Sequence, residues 1–230
     1  MSDTSPVSLV CWDVVGAAAV DGSVLERAFV EAIATQGVVT GTAAYVKAMV
    51  QFDRTRGWSP AEVIHSLFPE DEIRAQAANL AFERSFQAAV DRFGALPRPG
   101  ANDALAKLTA AGIRLCLMSC LSRPAFSLIM ERLGWWQRGD LILCADDVPR
   151  GFPWPDLVLT AILRLGIGDV RDVAVVTASE GGVLCAHRAG ARLVFGVLSD
   201  VHDGRRLRRA GATHLLADIG ELPDLLAGPA

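Results

Sequence analysis

The patterned part of the chain opens with a short, unbroken apolar run, Val7 to Trp12, closed by a single acid, Asp13. An apolar run of that length with no polar alternation predicts a strand buried on both faces of a parallel sheet. From Ser23 to about Phe93 the period changes. "VLERAFVEAIATQG", "TAAYVKAMVQFDRTRG", "SPAEVIHSLF" and "DEIRAQAANLAFERSFQAAVDRFG" carry apolar residues three or four apart and predict four amphipathic helices. Ser59-Pro60-Ala61-Glu62 predicts the start of one of them, with a Ser cap, Pro at the first position and Glu three residues after the cap.

After "LPRPG" helix and strand patterns alternate strictly. The strands are "IRLCLMS", "LILCADD", "VAVVTA", "RLVFGVLS" and a short "THLLA", each preceded by an amphipathic helix. That alternation predicts an α/β fold with a doubly wound, parallel, Rossmann-like sheet. The helical run interrupts it after the first strand. The expected division is a core of residues 1–20 and 96–230 and a helical cap of residues 21–95. In such a sheet functional groups gather at the carboxyl ends of the strands. Four places qualify: Asp13 with the residues just after it, "SCLSRP" at 119–124, "ADDVPRGFPWPD" at 145–156 and "TASEGG" at 177–182.

Composition narrows the function classes. Half of the residues are hydrophobic, enough for a sizeable core, and the net charge of −4 makes no electrostatic case for nucleic acid or an anionic membrane. The opening "MSDTSP" has no basic segment of a signal peptide, and charged residues or glycine break every apolar stretch before the roughly 18 residues of a membrane span. A soluble, cytoplasmic protein is expected. The five cysteines lack metal-ligand spacing. Cys11, Cys116 and Cys144 fall in strands and read as small buried hydrophobes, whereas Cys120 falls in a loop.

These four places, in this order around a helical insertion, resemble the haloacid dehalogenase superfamily of hydrolases, and "DDVPRGFPWPDLVLTAI", "CLSRP" and "HRAGARLVFGVLS" resemble its phosphonatase-type branch. The resemblance implies a nucleophilic Asp at the end of the first strand, matched by Asp13, and a phosphate-binding Ser or Thr, matched by Ser119. It also implies groups that are missing here. Val15 stands at the second acid position and Ala17 where Thr is usual. Phe152 replaces the cation of a Gly-Arg-Pro-x-Pro phrase. Ala178 and Gly182 stand where acids would hold magnesium in a Gly-Asp-Thr phrase, and Pro60 stands at or next to the branch's Schiff-base Lys. Two unscreened like charges about 4 Å apart repel by up to roughly 4 kcal/mol at an effective dielectric near 20. A phosphate dianion beside Asp13 with no cation is therefore opposed. No metal and no cofactor are expected.

Each candidate has two readings. Asp13, with its apolar neighbours, reads either as an acid, base or nucleophile of raised pKa or as a remnant at a solvated strand end. Ser119 reads as a catalytic hydroxyl or a turn cap. Trp12, Val15, Cys120, Arg123, Phe152, Trp154 and Glu180 are candidates to line a substrate crevice. Phe152 and Trp154 could instead fill it, Cys120 would need a cationic neighbour such as Arg123 to be nucleophilic, and Glu180 reads equally as a favourable charge at a helix start. Asp146 and Asp147 read as a paired-acid site or as structural loop residues, Arg150 as a replacement cation, and "RRLRR" at 205–209 as a solvated face. The residues are compatible with a metal-independent enzyme acting on a small, non-phosphorylated organic substrate through Asp13, by hydrolysis, elimination, isomerisation or cyclisation, or with an inactive binding or scaffolding protein; a magnesium-dependent phosphatase or phosphonatase is the least expected. The expected partner is a small molecule. The branch's cap-to-cap dimers make a homodimer an expectation by resemblance.

Overall fold

The computed structural model describes residues 7–19, 22–198 and 204–227. The "MSDTSP" opening, the 20/21 boundary of the expected division and residues 199–203 lie outside them. The strands are β1 (Leu9–Asp13), β2 (Arg114–Met118), β3 (Leu141–Leu143), β4 (Val173–Thr177), β5 (Leu193–Val197) and β6 (His214–Leu216). They form one parallel sheet in the order β3-β2-β1-β4-β5-β6. β1 is central, pairing Leu9 with Arg114 on one side and with Val173 on the other. This is why its sequence is continuously apolar rather than alternating.

Helices α1 (Gly22–Ala34), α2 (Ala43–Arg54), α3 (Pro60–Leu67) and α4 (Glu72–Phe93) follow β1 directly and form the cap, with α1 and α3 packed on α4. The remaining helices are α5 (Ala101–Ala110), α6 (Arg123–Leu133), α7 (Asp156–Leu165), α8 (Glu180–Ala189), α9 (Gly204–Ala210) and α10 (Leu222–Ala227). Successive side chains of β1 point to opposite faces. Val10 and Trp12 join one apolar cluster with α5 and α6, and Leu9 and Cys11 join another with α7 and α8. The first cluster continues into the cap through Phe29, Ile33, Phe82 and Phe86, so sheet and cap share a core.

The helix start at Ser59 falls where expected, with Pro60 in the first turn, but the capping box does not form. Ser59 makes no side-chain cap bond and Glu62 Oε2 is buried without a partner. The physical reason is tertiary: Ser59 is buried against Gly151 of the core, where an added Cβ would lie 3.7 Å from its own Cβ. Caps that face solvent or the cap–core seam do form, from Thr42 to the Tyr45 amide and from Ser122 to the Ala125 amide.

Candidate functional site

The strand order reverses between β1 and β4, so the crevice of a doubly wound sheet opens at their carboxyl ends. Asp13 is the last residue of β1 and Thr177 the last of β4. They face each other there, with the Thr177 hydroxyl donating to Asp13 Oδ2 at 2.8 Å. Asp13 is only 2 % exposed, and its Oδ1 has no hydrogen-bond partner. Burial pushes its carboxyl up to about 7, while the Thr177 hydroxyl and the nearby Val15 amide pull the other way. Loss of solvation dominates because the charged form is the one that water would have stabilised.

A partly open cavity of about 60 Å³ lies over Asp13. A water needs about 10–15 Å³ of such space, so there is room for a few waters between cap and core. Its walls are chiefly apolar: Val15 and Cys120 from the core, and Phe29, Phe52, Trp58 and Phe82 from the cap. Phe29 and Phe52 stack with centroids 4.5 Å apart, an arrangement that adds about 0.5–1.5 kcal/mol beyond area burial. Arg56 is the cationic residue of the lining, and its guanidinium is turned to Asp53 at 2.8 Å and Glu26 at 3.9 Å.

Among the described residues several contacts close the seam between cap and core, one of them the ion pair of Asp91 in α4 with Arg132 in α6. Arg206 of α9 pairs with Glu180 of α8 at 2.5 Å and with Asp53 of α2 at 3.0 Å. The Gly181 amide donates to the Arg56 carbonyl at 3.1 Å, and Ser122 of the core donates to Glu83 of the cap at 2.6 Å. Gly57, at φ +85°, lies against Ser179 so closely that an added Cβ would be 2.1 Å from its Oγ.

The sequence candidates separate into two groups. Asp13, Val15 and Cys120 line the cavity. Cys120 is buried, and burial together with the Asp13 carboxyl raises its thiol pKa, the opposite of what a nucleophilic cysteine needs. The other candidates are placed elsewhere. Ser119 is fully buried and accepts the Leu121 amide at 3.1 Å, as a turn cap does. Trp12 is packed in the sheet–helix core with its Nε1 unpartnered. Arg123 pairs with Asp147, and its amide donates to Asp146, so that acid pair fastens the loop. Phe152 is buried in the α7–α8 cluster. Trp154 lies on the surface beneath the Arg150 and Arg188 guanidinium groups. Arg150 pairs with Asp156 and supplies no cation to the crevice. Phe152 and Trp154 therefore do not fill the cavity. In the "RRLRR" run, read as a solvated face, Arg206 instead bridges core and cap.

The profile of the haloacid dehalogenase-like hydrolase family matches residues 7–190. The chain belongs to that family. It is 30% identical over 118 residues to a phosphorylated carbohydrates phosphatase of Thermotoga maritima, covering 51% of this chain and 54% of that protein. It is 34% identical over 97 residues to the phosphonoacetaldehyde hydrolase of Pseudomonas aeruginosa, covering 40% of this chain and 34% of that one. The matches thus span about half and about a third of those two relatives. A hydrolase from Pseudomonas syringae has the same fold, with a TM-score of 0.82 at 22% identity, over 97% of this chain and 100% of the other.

A haloacid dehalogenase-like site that holds magnesium needs several oxygen donors around Asp13. Ala178 and Gly182 offer none, and a Cβ added at 182 would lie 2.1 Å from Thr177 Oγ1. Glu180 is engaged by Arg206. Among the described residues no three His, Cys, Asp or Glu side chains gather in a ligating group. The residues present do not fit the ion. Among the described residues, no helix is long and apolar enough to cross a membrane.

Sequence reasoning missed Thr177, Ser179, Arg56 and Gly57. A signal for the first was available: Thr177 stands where the family phrase has Gly, and Gly182 where it has an acid, an exchange of bulk between two positions five apart.

Proposed function

We propose that this family member is a metal-independent hydrolase, lyase or isomerase acting on a small, non-phosphorylated organic substrate, with Asp13 as its working carboxyl. The observation that carries the reading is the state of Asp13: one oxygen is held by Thr177, the other is unpartnered, and the group is buried in an apolar cavity that places its pKa near neutrality. A carboxyl that titrates at the working pH exchanges a proton with substrate in either direction, which suits general acid or base chemistry. An apolar, cation-poor surround disfavours a phosphate dianion and favours a neutral or weakly charged molecule. The aromatic walls from Phe29, Phe52 and Trp58 support a substrate with an apolar body.

The cavity as it stands admits only a few waters. A larger substrate needs the cavity to widen; parting of the seam at Arg206 and Gly57 provides that room, and its return excludes water from the reacting carboxyl. A second reading has its own support: a cavity this small suits a protein that has kept the fold for binding or scaffolding without turnover.

The test is conversion of a metabolite mixture in EDTA, followed by mass spectrometry. Wild type is expected to turn over a substrate without metal, and Asp13→Asn is expected to lose at least about 100-fold, the usual contribution of a positioned acid or base. Turnover that disappears in EDTA and returns with magnesium contradicts the proposal. Turnover that survives Asp13→Asn removes Asp13 from the chemistry.

A further inference from the structure

The hydrogen bonds around Asp13 have a fixed direction. Ser179 Oγ accepts the Gly182 amide at 3.1 Å, and Thr177 Oγ1 accepts the Ser179 amide at 3.2 Å. Thr177 Oγ1 lies 3.3 Å from Ser179 Oγ and 2.8 Å from Asp13 Oδ2. A hydroxyl has one proton. The shorter contact, to a group that accepts but does not donate when ionised, takes the Thr177 proton, and Ser179 then donates to Thr177. The chain runs one way, from the Gly182 amide through Ser179 and Thr177 to Asp13, starting at the positive end of the ten-residue α8. While Asp13 is ionised, Oδ2 accepts from Thr177, and Oδ1 is the oxygen without a side-chain partner.

The same threonine occupies the space that a side chain at 182 would need. A Cβ added there would meet Thr177 Oγ1 at 2.1 Å, its Cβ at 2.7 Å and its Cγ2 at 3.0 Å. Real Cβ atoms do not approach so closely, and a β-branched side chain has little freedom to turn away. An acid at 182 and a threonine at 177 exclude each other.

We propose that Thr177 is the positioning residue that takes the place of the family's metal: it fills the volume of the lost acid, ties up Asp13 Oδ2, and leaves Oδ1 as the one reacting oxygen. The proposal deepens the metal-free reading and rests on it. Thr177 and Gly182 act as a single exchange, so neither change is reversible alone.

The test is a magnesium titration by calorimetry on wild type, on Ala178→Asp/Gly182→Asp, and on that pair with Thr177→Gly added. Wild type and the double variant are expected to give no binding heat, the double variant with a lowered melting midpoint from the overlap. The triple variant is expected to give a binding heat where the double gives none, and a folded triple variant that also gives none overturns the exchange. If the double variant binds as tightly as the triple, the exchange is wrong while the metal-free reading stands. If wild type itself binds, both fail.

A second measurement does not depend on the acidic variants folding. The Asp13 carboxyl is followed by carbon-13 NMR in Thr177→Ser and Thr177→Val. The serine is expected to leave its titration midpoint in place and the valine to raise it. An unmoved midpoint in the valine variant overturns the positioning role.

Discussion

Replacing Asp13 with asparagine is expected to stabilise the fold by about 4 kcal/mol above about pH 8 and by almost nothing near pH 4. The buried carboxyl is raised from the ordinary 3.8 to about 7. Between those values the folded protein keeps a proton that the unfolded chain has released. Stability therefore falls as pH rises through that window and stays at its lower level above it. Asparagine has nearly the same shape, can still accept from Thr177 and does not titrate. Other ionisable groups are common to both proteins, so the difference between their stability curves isolates Asp13. Urea unfolding of wild type and Asp13→Asn across pH gives that difference directly. A gap that does not change with pH would mean that Asp13 titrates at the same, ordinary value in the folded and the unfolded protein.

The second large effect is expected at the seam. Gly57→Ala meets two costs: a side chain at φ +85°, and a Cβ 2.1 Å from Ser179 Oγ and 2.4 Å from its Cβ. Displacing Ser179 also breaks the helix cap to the Gly182 amide. The left-handed backbone and the lost cap together amount to about 2–4 kcal/mol. Gly41→Ala is the control. Gly41 sits at φ +89° with nothing within 4 Å of an added Cβ, so its variant carries the backbone cost alone. Equal urea midpoints for the two variants would mean that the cap does not press on Ser179 in solution.

The fold is legible in the sequence because its signals are local. β1 is buried on both faces and therefore continuously apolar, the cap helices have a period near 3.6, and the alternation after Gly100 dictates parallel strands. Asp13 is legible for a related reason: a lone acid closing a central strand lands at the carboxyl edge of the sheet, wherever the strands pair. Ser119, Arg123, Phe152 and Trp154 illustrate the other half of the problem. They occupy the right loops, but a loop residue can face the crevice, the core or solvent, and packing decides which. Phe152 is apolar enough to turn into the α7–α8 core. Arg123 finds Asp147 before it can reach a substrate.

The residues that complete the cavity come from the cap, and no pattern in the sequence fixes how the cap sits on the core. That is set by pairs far apart in the chain, Asp53 with Arg206 and Gly57 with Ser179. Thr177 is the intermediate case. Its position is one of the four strand ends legible in the sequence, and only its neighbours across the crevice reveal that it stands against Asp13 and excludes a side chain at 182.

The central claim is that Asp13 is a neutral-range carboxyl that works without a metal. The most direct test is a pH titration of that one carboxyl by carbon-13 NMR, with labelled aspartate in wild type and in Asp13→Asn for assignment, in EDTA and again in millimolar magnesium. The account predicts a midpoint of about 7 that is the same in both. A midpoint close to 3.8, or one that magnesium pulls down, would contradict it.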